Sequence, residues 1–155
     1  MWAHHRYFLD AVLPVAEESG VRLSLHPDDP PVEEPLGGAA RIFSSPDGLR
    51  RVLEETRDCP FWGLTLCLGS LSELAGSKTV NEVIDMFGPA GRIFYVHFRD
   101  VQGVVPTFRE CFLGEGNFDP ADVIRRGDTS STTYCSRGRA HAIGYLQGTL
   151  RALGH

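Results

Sequence analysis

The chain has 155 residues, 42% of them hydrophobic and 23% charged, with a net charge of −5; that is enough for one domain with its own core. The acidic balance excludes nucleic acid as the main partner, because phosphate binding needs a basic footprint. No apolar run approaches the roughly 18 residues of a membrane span. "MWAHHRYFLD" has no basic region leading into an apolar run, so no signal peptide is expected.

In chain order, the spacing of Phe8, Val12, Val15 and Ala16 predicts a helix over Tyr7 to Ser19, stopped by Gly20 and either kinked or started by Pro14. Val21 to Leu25 reads as a short strand carrying one charge, Arg22. A loop rich in Pro and Gly follows from His26 to about Ala40. "SSPDGLRRVLEET" predicts a second helix, with Ser45 as cap, Pro46 in the first turn and Asp47 complementing the dipole. Gly63 to Cys67, "GLTLC", is a second strand. "TVNEVIDMF" opens on a capping box, Thr79 to Glu82, and predicts a third helix. "RIFYVHF" is a third strand, ending on His97. After a loop over 99–117, "FDPADVIRR" starts a fourth helix, with Asp119 as cap. A final helix is expected from about Arg139 to Leu153, with Ile143, Leu146, Leu150 and Leu153 on one stripe.

Helices alternating with short apolar strands mean an α/β fold, a parallel sheet with helices outside. Neither GxGxxG after the first strand nor GxxxxGK[ST] occurs, so both nucleotide fingerprints are missing. The cysteines (Cys59, Cys67, Cys111 and Cys135) form no CxxC pair; reduced thiols and a cytoplasmic location are the expectation.

Each of the three strands ends on a residue type that ligates metals: His26, Cys67 and His97. In a parallel β/α protein the carboxyl ends of the strands share one face, where such folds build their sites. Two imidazoles and a thiolate suit Mn²⁺, Fe²⁺, Co²⁺ or Zn²⁺. A lone His after a strand is usually a hydrogen-bonded structural residue, and a lone Cys usually a small buried hydrophobe. The coincidence of three at equivalent positions is what points to a metal site. Asp28 and Asp29 follow His26 and could orient its imidazole, or simply cap a stiff turn. Arg99 sits where a substrate carboxylate could bind, while Asp100 reads as half of a surface ion pair. Glu115, in the Gly-flanked "FLGEGN", could approach a ligand or belong to a plain turn.

"HPDDPP" at 26–31, "RIFSSPDGLRRVLE" at 41–54, "CLGS" at 67–70, "HFRD" at 97–100, "ECFLGEGN" at 110–117 and "RGRAHAIGYLQG" at 137–148 together resemble mannonate dehydratase, in order and with compatible spacing. The resemblance is to the C-terminal half of that family. It implies a (β/α)₈ TIM barrel of the xylose isomerase-like kind, and dehydration of D-mannonate to 2-keto-3-deoxy-D-gluconate in hexuronate and glucuronate breakdown. It also implies Mn²⁺ or Fe²⁺ held by His26, Cys67, His97 and a fourth ligand, an Asp. Two departures accompany it. The first half of the barrel has no counterpart, and a whole strand carrying the family's Asp ligand and an acid/base His is absent at the Arg126–Gly127 junction. Asp128 fits the sequence that follows that strand and does not replace the ligand. Ser136 stands where the family has a catalytic Tyr, leaving Tyr134 as the nearby candidate.

Residues 1–155 are therefore expected to form a single incomplete barrel domain, with a sugar acid as ligand and Arg99, Asp28 and Glu115 as substrate-binding candidates. Strands left without neighbours predict self-association through exposed sheet edges. A sugar isomerase or epimerase of the same barrel class, or a non-catalytic metal-binding remnant, are the alternatives.

Overall fold

The computed structural model describes residues 1–126 and 147–152. Ten elements follow one another: α1 (Trp2–Ser19), β1 (Leu23–Leu25), α2 (Pro46–Glu55), β2 (Trp62–Cys67), α3 (Leu68–Ala75), α4 (Ser77–Phe87), β3 (Ile93–His97), β4 (Asp100–Val104), β5 (Thr107–Cys111) and α5 (Pro120–Arg126). Residues 147–152 are helical as well; the rest of the helix expected over 139–153 lies outside the described residues.

The three expected strands form a parallel sheet in the order β1-β2-β3. Every residue of β2 is buried, because a central parallel strand is covered on both faces and paired on both edges. Leu64 and Leu66 of β2 pack into one core with Leu49 and Val52 of α2, Leu68 and Leu71 of α3, and Val80, Val83, Ile84 and Phe87 of α4. Phe87 is completely buried, worth about 2–3 kcal/mol of transfer free energy. The register sets Leu23 beside Trp62 and Cys67 beside His97. Partners in a parallel ladder present side chains on the same face, so this register already aims Cys67 and His97 together.

The predicted caps of α2 and α5 are present. Gly48 N–H donates to Ser45 Oγ at 3.3 Å, and Ala121 N–H donates to Asp119 Oδ1 at 2.9 Å. Three expectations need correction. Helix α1 begins at Trp2, carries Pro14 internally, and buries Leu9 and Ala16 while Trp2 and Leu13 pack against the core. Phe8 and Val15, two of the apolar residues whose spacing predicts the helix, are 54% and 58% exposed. Thr79 caps nothing: α4 starts two residues earlier, straight after Gly76, whose φ of 61° turns the chain out of α3. Thr79 is thereby carried inside the helix and buried. Finally, residues 99–117 are no plain loop. They hold an antiparallel hairpin, β4–β5, that pairs Asp100 with Cys111 and Val104 with Thr107. Among the described residues no helix is long and apolar enough to cross a membrane.

Candidate metal centre

His26, Cys67 and His97 come together at the carboxyl ends of the three parallel strands, with their ligand atoms all within 4.8 Å of one another. Cys67 is buried and His26 exposed. His26 Nδ1 lies 2.7 Å from the Pro27 carbonyl, which can only accept. Nδ1 therefore carries the ring proton and Nε2 is left as a lone pair. That lone pair faces His97 Nδ1 at 3.3 Å. Two imidazole nitrogens bound tetrahedrally to one small cation stand about 3.4 Å apart, so the two rings are spaced as co-ligands would be. Burial, then the neighbouring His26, push the His97 pKa below the usual histidine value, which favours the neutral ring that ligation requires. One soft thiol and two borderline imidazoles fit a divalent first-row metal ion.

Cys67 reaches its place without a connector, since it is the last residue of β2 and the N-cap of α3. Three residues on, Ser70 Oγ lies 3.0 Å from Cys67 Sγ and 3.0 Å from Asp29 Oδ2. Arg99, just beyond β3, closes the group. Its Nη1 donates to Asp29 Oδ2 at 2.9 Å and, more weakly, to Ser70 Oγ at 3.4 Å. Its Nε donates to Glu110 Oε1 at 2.7 Å, and its Nη2 lies 2.8 Å from Glu73 Oε1. The Glu73 carboxylate is fully buried, and neither of its oxygens has a well-aligned hydrogen-bond donor. Arg99 contacts Glu73 as a charge, out of line for a good hydrogen bond. Burial first, and the Asp29 charge next, raise the Glu73 pKa from 4.5 to about 7 against the pull of Arg99. Burial disfavours the Arg99 cation, yet its hydrogen bond to Glu110 and the charges of Asp29 and Glu73 outweigh this and hold its pKa above the ordinary value. One cation among three carboxylates leaves an electronegative surround beside the donor triad, which favours a divalent cation.

The sequence profile of the D-mannonate dehydratase (UxuA) family matches residues 1–126. The chain belongs to the mannonate dehydratase family. Mannonate dehydratase 2 of Halalkalibacterium halodurans is 38% identical over 114 residues, covering 71% of this chain and 31% of that protein. The mannonate dehydratase of Thermotoga neapolitana is 38% identical over 112 residues, covering 72% of this chain and 28% of its own length. The crystal structure of mannonate dehydratase from Streptococcus suis serotype 2 superposes with a TM-score of 0.76 at 27% identity, over 99% of this chain and 50% of that one. The chain thus spans about a third of the length of these two curated mannonate dehydratases.

Against this family background, the residues expected to bind substrate fall unevenly. All three nitrogens of Arg99 face carboxylates of its own chain, so it binds the protein rather than presenting a free fork to a ligand. Asp28 accepts from Phe43 N–H at 2.8 Å and lies 3.7 Å from Arg41, which ties the 26–31 loop to the segment leading into α2. Neither Asp28 nor Asp29 orients His26; the Pro27 carbonyl does. Glu115 is exposed, and its backbone carbonyl accepts from Gln102 Nε2 at 2.6 Å. Tyr134 lies outside the described residues.

Asp100, expected in a surface ion pair, is 1% exposed. Its carboxylate accepts from the backbone N–H groups of Val101, Gly114, Gly116 and Asn117 at 2.9–3.1 Å. A Cβ on Gly116 would run into that carboxylate, which explains the glycine in "GEGN". Ser70 and Glu73 were missed altogether. The signal for Ser70 was a Cys-x-x-Ser spacing at a strand-to-helix junction, the spacing at which a third-position side chain reaches back to an N-cap.

Proposed function

We propose that this chain supplies the metal-binding part of a mannonate dehydratase, a hydro-lyase that converts D-mannonate to 2-keto-3-deoxy-D-gluconate. The observation that carries this is the convergence of His26, Cys67 and His97 at equivalent strand ends, with the two ring nitrogens 3.3 Å apart, in a chain of that family. The parallel β1-β2-β3 unit with its outer helices is then a segment of a (β/α)₈ barrel, and residues 1–155 one incomplete barrel domain. Mn²⁺ or Fe²⁺ is the ion this reading assigns.

The reaction removes a proton from C2, beside the substrate carboxylate, and hydroxide from C3. A bound divalent cation would stabilise the negative charge that develops next to the carboxylate. His26 and His97 offer neutral nitrogen donors and Cys67 a sulfur donor, and the loop holding His26 is kept in place by Asp28 and Arg41. On this geometry Arg99 keeps the surround of the site in place. Glu115 remains a candidate for contact with the sugar hydroxyls, and Tyr134 a candidate proton donor by resemblance. No residue matches the family's fourth ligand or its acid/base His. A thiol donor speaks against a sugar isomerase or epimerase, whose sites favour carboxylates and imidazole.

Titration of the metal-free chain with Mn²⁺ tests the proposal. Saturable binding that is lost in Cys67→Ala supports it; no binding, or binding indifferent to Cys67, overturns it. For the 155-residue chain alone, turnover of D-mannonate should be slight or absent even with Mn²⁺ or Fe²⁺. Rapid Mn²⁺-dependent turnover would mean that other residues here supply the acid and base.

A further inference from the structure

Ser70 has one hydroxyl proton and two acceptors, Cys67 Sγ and Asp29 Oδ2, each 3.0 Å away. Arg99 decides between them. Its Nη1 already donates to the same Asp29 oxygen at 2.9 Å and faces Ser70 Oγ at 3.4 Å. The guanidinium occupies one lone pair of that oxygen and offsets part of its charge, which weakens Asp29 as a competitor for the Ser70 hydroxyl. A serine oxygen that itself accepts from a cation is a stronger donor through its own O–H. Both effects shift the Ser70 proton toward sulfur, away from Asp29.

We propose that Ser70 is a positioning residue for the metal-bound Cys67 thiolate, donating to it a hydrogen bond whose strength is set by Arg99 through Asp29. The inference rests on the metal reading above and names what tunes that site. The arrangement is built for it. Ser70 is fully buried, so water does not compete for the sulfur. Gly69 lets the Arg99 side chain cross: a Cβ there would stand 2.8 Å from Arg99 Cγ and Cδ. A hydrogen bond to a ligating sulfur draws charge off it and fixes its direction, which lowers the energy of its lone pairs relative to the metal.

The test uses Co²⁺ alone as probe, added to the full metal-free chain, and reads the near-ultraviolet thiolate-to-cobalt charge-transfer band. Cys67→Ala should abolish the band. If the wild-type chain has no such band, or Cys67→Ala keeps it, the metal reading itself fails. If that reading holds, Ser70→Ala should move the band to longer wavelength and weaken Co²⁺ binding about tenfold, with the far-ultraviolet dichroism unchanged. Asp29→Ala should move it the opposite way, because Ser70 then has sulfur as its sole acceptor. In a Ser70→Ala background Asp29→Ala should do nothing further. A Ser70→Ala spectrum that superimposes on the wild type overturns the proposal. An equal Asp29→Ala shift with and without Ser70 overturns the part assigned to Asp29 and Arg99. A merely structural role for Ser70 would alter stability and leave the band where it is.

Discussion

Each end of β3 carries an arginine, and the two do different work. Arg92, just before the strand, is buried, and its guanidinium donates to the backbone carbonyls of Thr56, Arg57, Cys59 and Trp62. Arg99, just after it, faces the carboxylates of Asp29, Glu73 and Glu110. Carbonyls neutralise nothing, so Arg92 remains a full cation that knots the α2–β2 connection to the sheet. Carboxylates over-neutralise Arg99 and leave a negative region beside the donor triad. The amino ends of the strands are thus fastened by dipoles and the carboxyl ends by charges. Stability is concentrated at one end and chemistry at the other, as parallel β/α folds arrange them.

The sharpest way to break this comparison is to remove each arginine in turn. Arg92→Met should cost about 3 kcal/mol, since it strips a shared donor from four carbonyls at once. The melting midpoint should fall by about 10 °C, while the protein that remains folded binds Mn²⁺ normally. Arg99→Met should lose less stability and weaken Mn²⁺ binding about tenfold; equal effects of the two substitutions on metal affinity would erase the distinction.

Next in size is Asp100→Asn, which turns an amide donor toward the backbone N–H of Val101 and the three backbone N–H groups of the "GEGN" loop. About 2 kcal/mol is expected, read as a lower midpoint in thermal denaturation. Glu73 then provides a pH signature. Its folded pKa is raised from 4.5 to about 7, so between these values the folded chain holds a proton that the unfolded chain has released. Its contribution to stability is therefore fully present below pH 4.5 and lost as the pH rises through 7. The total is about 3 kcal/mol. Denaturant midpoints of Glu73→Gln should vary less over this range than those of the wild type; identical profiles would show that Glu73 does not titrate there. The smallest effect is expected from Gly69→Ala. It displaces an Arg99 side chain held by three carboxylates, at about 1 kcal/mol, and should shift metal affinity in the direction of Arg99→Met.

The three strands and their terminal His26, Cys67 and His97 were legible because an apolar run ending abruptly on a ligand-type residue is a local pattern. The caps of α2 and α5 were legible for the same reason. Helix α3 was not: "LGSLSELA" has no amphipathic period, since Leu68 to Glu73 are all buried, and its Gly and Ser are poor helix formers. Only tertiary packing makes it a helix. The β4–β5 hairpin hid behind charged and polar residues, with Val105 and Pro106 at its tip; the alternation flanking that pair was the available clue. Asp100 looked like a surface charge because nothing local reveals that a loop more than ten residues later folds back to donate three N–H groups, beside the one from Val101. The buried face of α1 was not legible because Leu9 and Leu13 answer to Trp2 and the core, and the sequence offered Phe8 and Val15 as an equally apolar alternative.

The missing connector between β2 and α3 has a mechanical side. A loop would absorb small movements of the helix before they reached the strand. Here Cys67 belongs to both, so any rocking of α3 is delivered to the sulfur undamped. The hairpin grips that helix from above, through Val105 N–H donating to Glu73 O at 2.8 Å and through the Glu73–Arg99–Glu110 contacts. The seat of the hairpin on α3 and the position of the Cys67 thiol are therefore joined through one continuous helix.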